Sequence, residues 1–341
     1  MADNIQPSVS VALATYNGEA FLRPLLESLA CQSRRPDELV VSDDGSSDQT
    51  LQILGDFAAE APFNVIILKN SADAGILNNF YTAFAGTSSD IIFYCDQDDV
   101  WHPDKIEQVA REFSDPAVSA VIHRSRIVTA ELEDTGQLVQ QNEYWGKLRA
   151  PVDCLTVHGF GHQMAIRRSV YDVMSSLQKG LTGTKSIYAN NFDRLIPFCA
   201  SITGKIVMVR DPLVDFRRHG QSATTAGKDV RSGQDWKEKA EWLATGYADS
   251  VNLCADAQRT VADKAPLLDC VFQGHQSQKN AFDSLLKIAN SPDAASGTRE
   301  YVRALSLILS SRTAFSNSRA TKNAALAFML LVKRITAKRV H

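Results

Sequence analysis

Strand-like and helix-like segments alternate over the first 113 residues, and this alternation constrains the fold more than any other feature of the chain. Residues 9–14 are apolar and partly β-branched, as suits a buried strand. Residues 20–31 follow with Leu22, Leu25, Leu26 and Leu29 at helical spacing. Residues 39–41 read as a second strand, and Ser47 with Asp48 opens a helix carrying Leu51, Ile53, Leu54 and Phe57. A third strand at 65–68 precedes a helix around 78–85. A fourth strand at 91–94 precedes a helix over 103–113, with Pro103 at its first position. Repeated strand–helix alternation predicts parallel strands joined by right-handed crossovers and covered on both faces.

Beyond residue 117 the pattern loosens. Residues 118–128 read as strand, 131–150 as polar loop, 164–166 as a short strand before a helix from Arg168, and 191–201 as helix. Residues 206–209 and 213–216 read as two more strands. Strand signals then stop. Trp236, Ala240, Leu243, Tyr247, Val251 and Cys254 mark one helix face, and 267–289, 301–310 and 324–335 continue as helices, with a break at Pro292 and Gly297. The expected organisation is an α/β domain over residues 1–230 and an α-helical extension over 231–341.

Hydrophobic content of 44% and charged content of 22% allow a sizeable buried core. A net charge of −3 argues against a nucleic-acid partner for the chain as a whole. The scattered Cys31, Cys95, Cys154, Cys199, Cys254 and Cys270 form no metal or disulfide pattern and fit a reducing cytoplasm. No charged and apolar leader opens the chain, and the apolar run at 324–332 is too short to cross a bilayer.

Polar clusters fall where the strands end. Thr15-Tyr16-Asn17 closes the first, Asp43-Asp44-Gly45-Ser46 the second and Asp96-Gln97-Asp98-Asp99 the fourth. Ligands of open parallel sheets bind outside the carboxyl ends of the strands. Each cluster also has a plain account as turn chemistry, helix capping or a solvated acidic turn. Crowded carboxylates repel, and a hard divalent cation with oxygen ligands relieves that while recruiting a phosphate. Neither the glycine-rich dinucleotide fingerprint nor the Walker phosphate loop is present.

Val9-Ser10-Val11-Ala12-Leu13-Ala14-Thr15-Tyr16-Asn17, Leu39-Val40-Val41-Ser42-Asp43-Asp44-Gly45-Ser46-Ser47-Asp48, Asp96-Gln97-Asp98-Asp99-Val100-Trp101 and Pro103-Asp104-Lys105 together resemble the family 2 inverting glycosyltransferases. The likeness is dense over residues 8–115, thinner to about 225, and absent after 230. It implies a GT-A-type α/β fold: a mostly parallel sheet flanked by helices, here followed by the helical C-terminal extension. It also implies a transfer, with inversion, from a nucleoside diphosphate sugar, with UDP or dTDP as the nucleotide, to a hydroxyl of a glycan or lipid-linked acceptor. No nucleic-acid partner is implied.

By the same resemblance, Thr15, Tyr16, Asn17 and Glu19 would line the nucleotide pocket, with Tyr16 near the base. Asp44 and Asp43 would accept from base or ribose, and Gly75, Asn79 and Phe80 belong to a segment closing over the nucleotide. Asp96 and Gln97 would also face the donor. Asp96 and Asp98 form the Asp-x-Asp pattern, and Asp98 or Asp99 would hold Mn²⁺ or Mg²⁺ against the diphosphate; which carboxylate touches the metal stays open.

Asn191-Phe192-Asp193-Arg194-Leu195 is similar to the family segment that carries the catalytic base, which makes Asp193 the candidate. Phe192 stands where a histidine is usual, and Arg194 and Leu195 where aromatics are. An aspartate favourable to a helix N-terminus is the competing account, Arg194 would lower the carboxylate pKa, and Glu143 and Asp153 are substitutes. In Pro212-Leu213-Val214-Asp215-Phe216-Arg217-Arg218-His219-Gly220, Arg217 or Arg218 would pair with the diphosphate, and His219 would ligate metal or phosphate. His158-Gly159-Phe160-Gly161-His162 precedes a strand on the acceptor side, so Gly161 and His162, with Trp101, are acceptor candidates.

The acidic and Phe-Arg-Arg-His-Gly segments look most like bacterial enzymes of surface-polysaccharide assembly, some of which transfer rhamnose. Lys322, Lys333, Arg334, Lys338 and Arg339 border an apolar face, expected to pack on neighbouring helices, in a homodimer or peripherally on the inner face of a membrane. Three other readings compete. A sugar-nucleotide pyrophosphorylase would carry a basic glycine-rich loop where Thr15-Tyr16-Asn17-Gly18-Glu19 stands. A haloacid-dehalogenase-like phosphatase would carry its Asp-x-Asp on the first strand. A non-catalytic nucleotide-sugar-binding module needs no base.

Overall fold

Each apolar run in the amino-terminal half becomes a strand, and the central ones turn their two faces into two separate cores. The computed structural model describes residues 6–70, 75–139, 148–149, 159–181, 183–189, 191–220 and 236–261, and scattered positions up to 283. In chain order the first elements are β1 (Val9–Thr15), α1 (Leu22–Ala30), β2 (Glu38–Asp43), α2 (Thr50–Glu60), β3 (Asn64–Lys69), α3 (Gly75–Gly86) and β4 (Ile91–Cys95). Then come β5 (Val100–Trp101), α4 (Lys105–Glu112), β6 (Val118–Val128), β7 (Asp134–Val139) and β8 (Leu148–Arg149). A short turn of 3-10 helix (Gly161–Gln163) leads into β9 (Met164–Arg167), α5 (Arg168–Leu181), α6 (Phe192–Thr203), β10 (Lys205–Arg217) and α7 (Trp236–Thr260).

The described strands form one sheet in the order β3-β2-β1-β4-β9-β6-β10-β5, with β7 beside β6 and β8 beside β10. β3, β2, β1 and β4 are parallel, as the alternation predicts. β9 is antiparallel to both β4 and β6, so it threads between two strands that run the same way. β10 is parallel to β6, while β5, β7 and β8 pair antiparallel.

Side chains alternate across β4: Ile92 and Tyr94 enter one core, and Ile91, Phe93 and Cys95 the other. Leucines of α1, Ile53 and Leu54 of α2, and Ile106 and Val109 of α4 cover the second face. The first face takes Phe80 and Phe84 of α3, Val170 and Leu177 of α5 and Phe198 of α6. Burying each such side chain is worth about 1.5–3 kcal/mol. Tyr247, Leu253, Cys254 and Ala257 of α7 join that same core, so the described part of the C-terminal region packs onto the α/β layers.

Three expectations are corrected. Residues 131–150 are not all loop: β7 and β8 lie within them, and β7 is held by backbone pairing while its first four residues stay exposed. Residues 206–209 and 213–216 are one strand, β10, whose register shifts around Pro212, where no N–H is offered to the ladder. Helix α4 starts at Lys105, two residues after Pro103. Glu143, Asp153, His158 and everything after 283, including the expected helices 301–310 and 324–335, lie outside the described residues. No described helix is long and apolar enough to cross a membrane.

Phe84 is fully buried against Tyr94, Tyr171 and Phe192. Phe84→Ala is expected to cost ~3–5 kcal/mol in urea unfolding, whereas the exposed β7 substitution Gln137→Ala should stay within ~0.5 kcal/mol.

Candidate active site

The ends of β1 and β2 are tied by their own polar residues. Asp43 is buried, and its carboxylate accepts from Thr15 Oγ1 at 2.9 Å, Ser46 Oγ at 2.6 Å and the Ser46 N–H at 2.9 Å. Asn17 sits at φ +45° and its Oδ1 accepts from the Ser47 N–H at 2.9 Å. Glu19 accepts from the Gln49 N–H at 2.8 Å. Gln97 brackets the Tyr16 backbone, accepting its N–H at 2.9 Å and donating to its carbonyl at 3.1 Å. Asn79 is buried between the Thr15 carbonyl and Asn70.

Thr15, Asn17, Glu19, Asp43, Asn79 and Gln97 therefore shape the rim by bonding to protein. Tyr16 instead projects with 56% of its surface exposed. Beside it, Asp44 accepts from the N–H of Gly75, which starts α3 at φ +78°, a conformation that favours glycine.

The Asp96–Asp99 segment closes β4 as an acidic nest. Asp99 is fully buried, and its Oδ1 accepts from the Arg217 N–H at 3.1 Å. His162 Nδ1 lies 3.6 Å from Asp96 Oδ2 and 3.6 Å from Asp99 Oδ2. Ligating atoms of Asp96, Asp99 and His162 all fall within 4.8 Å of one another. Asp98 points elsewhere, its Oδ2 2.8 Å from His219 Nε2. The His219 ring stacks on Phe21 at 3.9 Å between centroids, and the Arg217 guanidinium lies 5.3 Å from the same ring.

Burial pushes the Asp96 carboxyl up to about 6 and Asp99 well above the ordinary range, and Asp98 rises by burial and the Asp96 charge. His162 is held down at about 3 by burial and then by Lys105, so its imidazole is neutral and keeps a lone pair for a ligand. Lys105 itself is fully buried, 3.4 Å from the Trp101 ring centroid, and burial lowers it to about 7.

This chemistry fits a divalent cation. Unit negative charges about 4 Å apart repel by about 4 kcal/mol at an effective dielectric of about 20. Asp99 Oδ2 is buried without a hydrogen-bond partner among the described residues. Two carboxylates and one imidazole would suit Mn²⁺ or Mg²⁺.

The 3-10 turn of residues 161–163 joins this nest to Asp193. The Gly161 N–H donates to the Asp193 carboxylate, and a Cβ on Gly161 would sit 2.1 Å from Tyr94 Cε1, so only glycine fits. Asp193 occupies the first turn of α6, half-buried, and burial followed by the Asp96 charge raises it to about 7. Arg194 lowers it as expected but is outweighed. Phe192 anchors the helix start among Phe80, Tyr81, Phe84 and Tyr94.

Of the remaining sequence candidates, Arg217 is buried, with Nε and Nη2 lacking hydrogen-bond partners among the described residues. Arg218 is exposed and gives its N–H to the Val128 carbonyl. Trp101 is 2% exposed, beneath Lys105. Expected on the acceptor side, His162 instead lies among the carboxylates; no local signal marks this, because it depends on the pairing of β9 with β4.

Residues 10–174 match the family model "Glycosyl transferase family 2". The chain carries a family 2 glycosyl transferase domain. Among its relatives, an uncharacterized glycosyltransferase of Nostoc sp. is 25% identical over 238 residues, 68% of this chain and 71% of that protein. The dTDP-rhamnosyl transferase RfbG of Shigella flexneri is 35% identical over 99 residues, 28% of this chain and 34% of that protein. The O-antigen chain rhamnosyltransferase RfbN of Salmonella typhimurium is 30% identical over 118 residues. The match thus spans about a third of each of these two rhamnosyltransferases, 34% and 36%.

The crystal structure of S. aureus TarS 1-349 with UDP-GlcNAc superposes with a TM-score of 0.52 at 18% identity, covering 89% of this chain and 81% of that one. GalNAc-T7 with UDP, GalNAc and Mn²⁺ gives 0.52 at 13%, covering 89% and 56%. The family 2 domain therefore has the GT-A fold.

Asp96 titrates in the folded domain near 6, above its ordinary range, so the folded state holds that proton more tightly. Its stabilising contribution is complete below about pH 4 and is lost as pH rises through about 6. In EDTA, Asp96→Asn is expected to be more stable than the parent at pH 7, with the gain vanishing near pH 4. Urea unfolding at both pH values measures this; equal stability at pH 7 would contradict the burial of the charge.

Proposed function

We propose that this glycosyltransferase moves a sugar from a UDP- or dTDP-sugar to a hydroxyl of a glycan or lipid-linked acceptor, with inversion and in a divalent-metal-dependent manner. The observation that carries the reading is the cluster of Asp96, Asp99 and His162, whose ligating atoms lie within 4.8 Å of one another. Asp193 is raised by burial to about 7 and lies close enough to feel the Asp96 charge. Residues 1–230 act as the transferase domain and 231–341 as its helical extension.

Tyr16 and Asp44 receive the nucleotide, the exposed ring offering a stacking face and the carboxylate an acceptor for base or ribose hydroxyls. Asp96, Asp99 and His162 would hold Mn²⁺ or Mg²⁺, with Asp98 and His219 as an adjoining pair. That ion would neutralise the charge that develops on the leaving diphosphate. Nε and Nη2 of Arg217, without hydrogen-bond partners among the described residues, would donate to the same anion, with Arg218 outside it.

Asp193 takes the proton of the acceptor hydroxyl as that oxygen bonds to the anomeric carbon. The bond from that carbon to the diphosphate breaks on the opposite face, and the diphosphate leaves with the electron pair. The names of the relatives favour surface-polysaccharide assembly and rhamnose as one donor sugar. The basic residues bordering an apolar face in the sequence 322–339 favour work at the inner face of the membrane or in a homodimer.

Thermal stabilisation by UDP-, dTDP- and GDP-sugars in Mn²⁺ tests donor binding. UDP or dTDP donors are expected to raise Tm, and Asp96→Ala to abolish the shift; a shift unchanged in that variant removes the metal site from the reaction. Absence of turnover of every nucleotide sugar, with or without acceptor, would favour a module that only binds its ligand.

Asp193→Asn is expected to retain the donor-induced shift while kcat falls ~10²–10⁴-fold, the usual range for a lost general base. The base acts only when deprotonated, so kcat/KM should rise with pH and level off above about 7. Neutralising Asp96 removes one cause of the raised value, so saturating Mn²⁺ should move that limb to lower pH. A flat profile, or full turnover by Asp193→Asn, would assign the proton to another group.

A further inference from the structure

Lys105 is a buried ionisable group to which the proposed transfer gives no task. Lysine ordinarily keeps its ammonium in water, because burying an unpaired charge costs several kcal/mol. Here the side chain is fully buried in the first turn of α4, its Nζ 3.4 Å from the centroid of Trp101 and 6.0 Å from that of Phe93. Among the described residues its one hydrogen bond goes to the His162 carbonyl, at 3.0 Å. Burial works against its charge, and the carboxylates of Asp99 and Asp96 favour it.

The His162 carbonyl belongs to a turn that reaches three ways at once. The His162 ring faces Asp96 and Asp99, the Gly161 N–H bonds Asp193, and the Gly161 Cα lies against Tyr94 with no space to spare. The turn is braced within itself by the Gln163 N–H on the Phe160 carbonyl at 2.9 Å and by the Phe160 N–H on Gln163 Oε1 at 3.0 Å, and the His162 ring stacks on Phe216 at 4.7 Å. Its attitude toward the end of β4 is set by its outer attachments. Tyr94 blocks one side and Lys105 holds the other.

We propose that Lys105 is a positioning residue: its ammonium, resting on Trp101 and bonded to the His162 carbonyl, orients the 161–163 turn so that His162 meets the carboxylates and Gly161 meets Asp193. The inference rests on the transferase reading for its catalytic meaning. Its structural content, a pinned turn, stands on the geometry alone. It accounts for the lysine in place of an apolar residue: methionine would fill the same space on Trp101 but leave the carbonyl unbonded.

Lys105→Met tests it, because the variant keeps the unbranched length and loses the donor. Two measurements are made: hydrogen exchange of the metal-free protein, and kcat with donor KM. Exchange at residues 161–163 is expected to rise ~10-fold or more while β1 to β4 stay unchanged, the signature of a local opening. With the turn displaced, kcat should fall ~10–100-fold while donor KM stays within ~3-fold, the scale of a misplacement near 1 Å. Gln137→Ala, on the exposed first half of β7, should retain both parent values.

Unchanged exchange at 161–163 overturns the proposal. So does a kcat within twofold of the parent, and so does exchange rising uniformly while kcat and donor affinity fall together. Should Lys105→Met not fold, Lys105→Arg takes its place: the bulkier fork displaces the carbonyl, and parental exchange in that variant overturns the proposal equally. A parent protein without turnover would defeat the transferase reading instead, and the exchange measurement, which needs no donor, would still decide whether Lys105 pins the turn.

Discussion

Mutual repulsion among buried carboxylates is the constraint around which the catalytic rim is organised. Asp99 has no exposure, Asp96 shares its neighbourhood, and Asp98 is displaced onto His219. Every nearby element supplies something that makes the concentration of charge tolerable: the Arg217 N–H from β10, the Lys105 ammonium from α4, the neutral imidazole of His162 from the 161–163 turn, and the His219 ring beside Asp98. Such a nest is costly to the fold and useful to a reaction that must draw a cation and an anion together.

The polar rim divides into groups that build and groups that stay available. Asp43, Asn79 and Gln97 spend their hydrogen bonds on backbone and hydroxyl partners, which fixes the loops after β1, β2 and β4 relative to one another. Tyr16 and Arg217 keep, respectively, a ring face and guanidinium donors uncommitted among the described residues. A motif that reads as one string of ligand-binding residues is therefore mostly scaffold, and the scaffold positions the few groups that can touch a donor.

Legibility in the sequence followed burial. β1 to β4 were readable because each is an apolar run ended by a polar turn, and the leucines of α1 lie at plain helical spacing. β7 was not, since residues 134–137 are exposed and carry no alternating pattern. β10 read as two strands because Pro212 interrupts an otherwise continuous ladder. The acidic nest and Asp193 could be named from their local strings. The place of His162 beside Asp96 could not, because strand direction leaves no trace in composition and only the antiparallel register of β9 on β4 sets it. Lys105 was visible only as part of a motif, with nothing in its neighbours to announce complete burial.

The direction of β9 has a consequence for where the chain can change in length. An antiparallel strand brings its beginning, not its end, to the rim where β4 finishes, so the 161–163 turn that leads into it sits among the carboxylates. Lengthening that turn would carry His162 away from Asp96 and Asp99 while the Ile92–Ile166 pairing stays in register. The one place where the chain enters this part of the sheet against the direction of β4 is thus also the place where an insertion is least tolerated.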